Sequence, residues 1–591
     1  MIALEDRNKL LKWGLNDREK LVRAATGKML STHWIRHANN NLIEFLERLE
    51  IMKSDVAEDV LNAFFSERLD IINEINFDAE FWKNLTPESA FLSKVFIKFL
   101  KTNKHEERLD SILPEVTRHA FNLENYNNLW RISSKESAGD YEFITTQMLD
   151  IALYLDYGDE VGRRKIFELL REILKSSEVP DEHLKTIVNL FRIISLDERD
   201  FTRTMIEIIS DIQEQAEPYV NIDAELGLEG PSKRARADNE GNSFTSTENN
   251  PFTDDEDHLQ YKNMIVKLRC LSICKNMLEN SQESLQDNTI MYGLLNDLIV
   301  PSVQSSEVLL REEGLHCLGL CCCLDKTLAE HNVSLFIHCI KNGHEGLQVK
   351  ALKTLCDLMM TYGIQAINAE IADPNEIREL FEFCLDHDSQ SIQAIAAEGL
   401  AKLMLARRFK DDEILRLMVL LYFFPVRGNG NLGTQQCLSY FFPAYCYSSP
   451  ENQKSLVNVT VSALEELCNV NEDLEENETM VAPVQISDIL ADWTDPRKIA
   501  KQHITNLEDH AIEHGIQEII AIDALKIIFK ETGLKRKVMC HILQKLYLDE
   551  SSEDALNKMI ILANHITSVK YQYKKKLFFL LTLFIYIGSS C

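Results

Sequence analysis

Three stretches of this chain open alike. "LREEGLHCL" starts at Leu310, "VKALKTLCDL" at Val349 and "IQAIAAEGL" at Ile392, so successive starts lie 39 and 43 residues apart. Each begins with an apolar–polar pair. A leucine follows eight residues after the first member in two of them (Leu318, Leu400) and nine in the other (Leu358). Gly314 and Ala396 take the position four residues in. An earlier stretch, "VRAATGKML" from Val22, carries Thr26 and Leu30 at the matching places. A unit of about 40 residues holds two helices and their turns. It cannot bury its apolar stripe alone, so copies must stack on one another. The small side chain lets neighbouring helices come close.

The rest of the chain agrees. In "NLIEFLERLE", Leu42, Phe45, Leu46 and Leu49 recur every three or four residues, as do Ile166, Leu169, Leu170 and Ile173 further on. That is helical periodicity. Only 13 prolines and 21 glycines interrupt 591 residues. No stretch alternates as a strand does. The fold class expected is all-α, a HEAT-repeat α-solenoid of stacked antiparallel helix pairs with a disordered acidic insertion. A chain this long exceeds a single compact core.

The expected organisation is a first part of the array over residues 1–216, a disordered acidic linker over 217–257 and a second part over 258–470. An acidic loop at 471–483, C-terminal helical repeats at 484–570 and an atypical apolar tail at 571–591 complete it. The linker is polar and Gly/Ser/Asn-rich with almost no aliphatic periodicity. Such composition buries too little surface to offset chain entropy. Inside it, Lys233, Arg234 and Arg236 form either a weak nuclear-import signal or a chance basic cluster. The tail has an apolar run from Leu577 to Ile587, shorter than the ~20 residues a bilayer span needs. A buried terminal helix, a tail anchor and a gene-model artefact all remain open for it.

The 14 cysteines contain no C-x-x-C pair, and no secretory signal opens the sequence. Reduced thiols are expected. On a helix, Leu310, Gly314, Cys317, Cys321 and Leu324 form one seam, with Leu315, Leu318 and Cys322 on its flank. Free cysteine packs as a small hydrophobe, so the Cys321–Cys323 triplet reads as core filling. Zinc held by Cys317 and Cys321 would need two further ligands from elsewhere. A redox role would need an electropositive setting, and Glu312, Glu313 and Asp325 lie nearby in sequence.

"HAIEH" fits the H-x-x-E-H metallopeptidase pattern, with His510 and His514 on one face and Glu513 as base. Three fixed positions match by chance in long chains, and a third ligand such as Glu550 or Glu553 would have to be found. No phosphate loop, dinucleotide loop or nucleophile elbow occurs. The net charge of −30 opposes nucleic-acid binding unless basic residues cluster locally. Candidate clusters are Arg163, Arg164 and Lys165, and Arg407, Arg408 and Lys410. Each reads as a solvated helix edge or as a phosphate contact.

Beyond the repeat, "LLREEGLHCLGLCCCLDKTLAEHNVSLF", "QCLSYFFPAYCYSSPENQKSL" from Gln436 and "ADWTDPRK" from Ala491 resemble the G-type HEAT-repeat, non-SMC subunit of condensin. The opening "LLKWGLNDREKLVRAATGKMLSTHWI" is similar to a mid-chain repeat of that family. The resemblance spans roughly residues 10–500. It implies no catalytic activity and no cofactor or metal. It implies binding to the kleisin subunit and through it to the SMC ATPases, DNA engagement within the complex, mitotic chromosome condensation, and a nuclear, chromosomal location with a cytoplasmic phase. It does not say which residues line the kleisin groove or touch DNA. The family's subunits are longer, so this chain is expected to lack leading repeats, as a fragment, a truncated gene model or a shortened paralogue. Another HEAT or armadillo scaffold, such as a transport receptor or phosphatase scaffold, is the alternative. A metallopeptidase built on His510, Glu513 and His514 is more remote.

Overall fold

The structure, a computed structural model, describes residues 4–176, 179–215, 253–368, 375–424, 426–427, 431–474, 478–500, 516–548 and 553–569. Most of the acidic linker with Lys233, Arg234 and Arg236, the H-x-x-E-H motif and all of the apolar tail lie outside the described residues. So do residues 475–477 of the acidic loop.

The chain divides into two compact units, Met1–Cys317 and Leu318–Cys591. The longer helices of the first are α1 (Leu4–Leu15), α2 (Lys20–Met29), α3 (Ala57–Glu67), α4 (Pro87–Thr102), α5 (Val116–Ile132), α6 (Lys135–Ala152), α7 (Glu160–Lys175), α8 (Asp181–Ile194), α9 (Glu198–Gln215) and α10 (Thr253–Glu279). Helix α11 (Val308–Leu324) contains the boundary. The second unit holds α12 (Lys326–Asn342), α13 (Glu345–Tyr362), α14 (Glu376–Leu385), α15 (Gln390–Leu405), α16 (Asp412–Phe423), α17 (Leu432–Ser448), α18 (Pro450–Glu472), α19 (Pro483–Trp493), α20 (Ile516–Lys530), α21 (Gly533–Ile542) and α22 (Glu553–Val569).

In the first unit α5, α7 and α9 pack side by side in one layer, and α4, α6, α8 and α10 in the other. In the second unit the layers are α13, α15, α17, α19, α21 and α14, α16, α18, α20, α22. Helices two apart in sequence are therefore neighbours within a layer, as stacked helix pairs require. The core lies between the layers. Phe65 and Phe96 meet there at 5.1 Å in the first unit, and Phe381 and Phe442 are fully buried in the second.

Local sequence sets the helix starts. Asp159 caps α7 by accepting from the amides of Val161 and Gly162, and Asp411 does the same for α16. Thr86 and Ser89 form a reciprocal capping box on α4, and Ser449 followed by Pro450 opens α18. Such caps satisfy backbone amides that have no partner within the helix. A two-residue pairing, Val426–Arg427 antiparallel to Glu478–Thr479, is too short to form a sheet layer.

The helices on either side of residues 216–252 pack against each other. Helix α10 lies on α8 and α9. The Glu198 carboxylate, at the start of α9, accepts from the amides of Gln282 and Glu283, and Cys270 Sγ sits 3.9 Å from the Ile209 carbonyl. Arg269 donates to the carbonyls of Leu174 and Val179.

Within each unit, side-chain pairs join several of the repeats to the next along their edges. In the first unit Lys94 and Lys98 hold Glu58 at 3.0 and 2.6 Å, and Arg171 and Lys175 hold Asp211 at 2.7 and 2.9 Å. In the second, Lys341 meets Glu376, Arg378 meets Asp411, and Arg416 reaches Glu466. The hydrogen bonds in these pairs link residues between 33 and 50 apart in sequence, about one repeat.

Candidate functional site

The cysteine helix is packed rather than reactive. Cys317, Cys321 and Cys322 are at most 1% exposed. In the first unit Cys317 Sγ lies 3.5 Å from the Leu271 carbonyl. Gly314 faces the backbone of the short helix Val300–Val303 that precedes α11: a Cβ there would sit 2.8 Å from the Val303 nitrogen. In the second unit the Tyr362 hydroxyl donates to the carbonyls of Cys322 and Cys323, capping the end of α11. Burial pushes the Cys322 thiol well up, and Cys323 up to about 11. Neither is a thiolate at neutral pH, which a nucleophile or zinc ligand needs.

The seam read from the sequence needs one adjustment. Leu324 is only half-buried, whereas Leu315, Leu318 and Cys322 on the flank are as deep as the seam itself. A helix inside a layered array has neighbours on several sides, so its buried arc is wider than one stripe. Two further glycines mark close approaches in the second unit. A Cβ on Gly319 would fall 2.5 Å from Thr354 Oγ1, and one on Gly399 2.5 Å from Cys356 Sγ.

The two basic triplets differ. Arg163 and Arg164 both hold Glu160, three and four residues earlier on α7. These hydrogen bonds lower the Glu160 pKa. Lys165 meets Glu124 of α5 at 3.0 Å and sits over the Phe121 ring. Two carboxylates therefore engage all three cations and leave one net positive charge. Arg407, Arg408 and Lys410, in the turn after α15, are exposed, and no ion pair engages them among the described residues. Arg407 has φ of 57°, the left-handed conformation that closes a helix C-terminus, and the Arg408 amide returns to the Leu403 carbonyl. Glycine usually takes that position, and a side chain there costs about 1 kcal/mol.

The motif segments that resemble condensin form a buried knot. Trp493 of "ADWTDPRK" stacks on Phe442 of "FFPAYCY" at 4.8 Å and 16°, with Tyr422 and Phe423 beside it. Gln453 donates to the carbonyls of Trp493 and Asp495, and Gln517 to the Ala491 carbonyl and to Thr494. The Tyr447 hydroxyl meets Asp492 at 2.7 Å, and Arg497 lies over the Tyr547 ring. These residues fix α17, α18, α19 and α20 to one another. They carry structure, not catalysis.

Two surface features escaped the sequence reading. One is a cavity of about 330 Å³ lined by Arg171, Arg203, Ile206, Glu207, Asp211 and Ile290, where the charges balance. The other is an apolar row on α10, with Tyr261 and Ile265 exposed and Met264 and Leu268 half-buried, whose three- and four-residue spacing was visible in the sequence. Among the described residues no group of three or more His, Cys, Asp or Glu side chains is placed to hold a metal ion, and no helix is long and apolar enough to cross a membrane.

Paired helices in two layers, edge-linked one repeat to the next, define a HEAT-repeat scaffold. The family model described as "Nuclear condensing complex subunits, C-term domain" matches residues 269–548. Condensin complex subunit 3 of Schizosaccharomyces pombe is 32% identical over 564 residues, 92% of this chain and 63% of that protein. The Homo sapiens subunit 3 is 27% identical, over 86% of this chain and 58% of that one. The crystal structure of the S. pombe condensin Cnd3–Cnd2 subcomplex matches 99% of this chain and 72% of its counterpart, with a TM-score of 0.81 and 28% identity. The likeness to condensin subunit 3 thus runs over nearly the whole of this chain. It spans about three fifths of the length of the curated relatives it matches.

Proposed function

We propose that this chain is a non-catalytic HEAT-repeat subunit of a condensin complex. It binds the kleisin subunit, through it joins the SMC ATPases, and contributes to DNA engagement in chromosome condensation, with a nuclear and chromosomal location. The observation that carries this reading is the likeness across nearly the whole chain to a subunit 3 solved together with Cnd2. A repeat array suits such a partner, because an extended segment can follow it and fold on it, burial offsetting the ordering cost.

DNA binding follows from charge. A surface at −30 repels phosphate, so the chain alone binds DNA weakly and the kleisin supplies much of the positive surface. The cations at Arg407, Arg408 and Lys410, exposed and without an ion pair among the described residues, are this chain's best-placed contribution. The test is a titration of duplex DNA against the chain with and without a kleisin fragment, at several salt concentrations. The kleisin should bind tightly and strengthen DNA binding. Neutralising all three cations should reduce the salt slope by about 3, at roughly 0.9 per phosphate contact. Arg407→Gly should weaken DNA binding while raising stability by about 1 kcal/mol, which separates contact from folding. Tight DNA binding by the chain alone, or no kleisin binding, would refute the reading.

A further inference from the structure

Residues 431–450 of the second unit include no charged side chain and no histidine, in a chain that is 26% charged. They form α17 and its two caps. Part of this run is core: Leu438, Phe441, Phe442, Tyr445 and Cys446 are buried. The solvent side is uncharged as well. Leu432, Gln436, Tyr440 and Ala444 recur every four residues and are all exposed, Leu432 at 64% and Tyr440 at 69%. Four-residue spacing places them on one ridge along the helix. Packing accounts for the buried positions. It does not account for an uncharged ridge on the surface of a chain at −30, where lysine or glutamate would serve the helix as well.

The flanks of the ridge are neutral too. Within its layer α17 lies between α15 and α19. On α15, Glu398 and Lys402 pair with each other at 2.6 Å. On α19, Asp492 accepts from the Tyr447 hydroxyl and pairs with Lys498, and Asp488 is held by His541 and Lys545. These charges have counterions within the unit and need none from a partner.

Pro443 adds a backbone group to the surface. It sits inside α17 and has no amide, so the Ser439 carbonyl, one turn earlier, lacks the donor that a helix would give it. Ser439 is exposed and adjoins Tyr440. Its hydroxyl is used locally, donating to the Gln436 carbonyl. The ridge thus offers a spare carbonyl, the Gln436 carboxamide and the Tyr440 hydroxyl among apolar side chains. Phosphate finds no cation here. The backbone amides of an extended polypeptide suit the carbonyl, and uncharged side chains suit the ridge. Interface cores are depleted of charge and enriched in tyrosine in the same way. From Leu432 to Ala444 the ridge is about 18 Å long at 1.5 Å per helical residue. About five or six extended residues cover that length.

We propose that an extended, uncharged stretch of the kleisin docks along the Leu432–Ala444 ridge of α17, with its backbone donating to the Ser439 carbonyl. The inference rests on the kleisin-binding reading and adds the surface that takes the partner.

The test uses the full chain and a kleisin fragment, followed by binding titration and by hydroxyl-radical oxidation of Tyr440. Expected is a severalfold drop in Tyr440 oxidation when the fragment is added. Tyr440→Glu should weaken binding about tenfold or more, because it buries a carboxylate in an uncharged contact. The residue faces solvent, so urea unfolding of this variant should match wild type. Pro443→Ala returns an amide to the Ser439 carbonyl and should weaken binding without lowering stability. Wild-type affinity in both variants, with Tyr440 oxidation unchanged by the fragment, would overturn the proposal and leave the kleisin reading standing. A fragment that fails to bind the wild-type chain would refute both. Protection of Tyr440 that appears with protein concentration alone, or with duplex DNA, would also overturn the proposal, since a second copy or nucleic acid then occupies the ridge.

Discussion

His119 and His183 should make the first unit acid-labile in a way that can be separated from its carboxylates. His119 is fully buried. Its Nε2 donates to the Met148 carbonyl at 3.0 Å, while Nδ1 has no partner, and its ring lies against Trp82. His183 is 2% exposed, with Nε2 2.6 Å from Thr146 Oγ1, an unpartnered Nδ1 and Trp130 beside the ring. A proton on either Nδ1 would enter an apolar site with nothing to accept from it. Burial accordingly lowers both pKa values to about 4. In the unfolded chain each histidine titrates near 6.5. Between pH 6.5 and 4 the unfolded state therefore binds the proton and the folded state does not, so stability falls as pH falls. The contribution is whole above pH 6.5 and fully lost below about 4. At 1.36 kcal/mol per pH unit, each residue costs about 2 kcal/mol by pH 5 and about 3 by pH 4. Together they approach the total stability of an ordinary domain. Urea unfolding monitored by tryptophan fluorescence suits the measurement, because four of the five tryptophans (Trp13, Trp34, Trp82, Trp130) lie in the first unit. His119→Gln keeps a donor for Met148 and cannot titrate. Its loss of stability from pH 7.5 to 5 should be about 2 kcal/mol smaller than that of wild type. Parallel losses would refute the reasoning, since they would mean His119 accepts a proton in the folded state at no cost.

Gly314→Ala should lower the stability of the first unit by about 1–2 kcal/mol in chemical denaturation, because its Cβ meets backbone that cannot rotate away, and this outweighs the helix propensity gained. Cys317→Ala should cost about 1 kcal/mol, as the loss of one buried sulfur. Stoichiometric zinc in the purified protein, lost with that substitution, would contradict the packing role. Brief trypsin treatment should cut first at Lys233, Arg234 or Arg236, and the two fragments should co-elute under native conditions because α10 packs on α8 and α9. Separation of the fragments without denaturant would contradict that packing.

The helices and the cysteine assignment were legible because both rest on spacing along one helix. Cys317 and Cys321 share a face whatever packs on it. The capping residues Asp159, Asp411 and Ser449 act within a few positions, so they too are readable. Contacts between helices needed the structure. Gly319 and Gly399 look ordinary until Thr354 and Cys356 are placed against them. "FFPAYCY" and "ADWTDPRK" were recognisable as segments, but the stacking of Phe442 on Trp493 joins residues 51 positions apart. The two basic triplets looked equivalent. Glu160, one turn before Arg163 and Arg164, was a visible warning, whereas Glu124 beside Lys165 was not.

The edge pairs have a mechanical consequence. Lys94 and Lys98 on Glu58, Arg171 on Asp211, Lys341 on Glu376 and Arg378 on Asp411 each tie one repeat to the next at a surface open to solvent. Each contributes at most about 1 kcal/mol, too little to hold a repeat in place, and the apolar interface does that. Yet they lie at the edge where one repeat meets the next, partly exposed, so a change in their spacing tilts neighbouring repeats. Dissolved salt screens them and leaves the interior untouched. Within each unit, resistance to bending is therefore set partly by the electrolyte. Added salt therefore leaves each unit's fold intact and makes its stack of repeats more compliant.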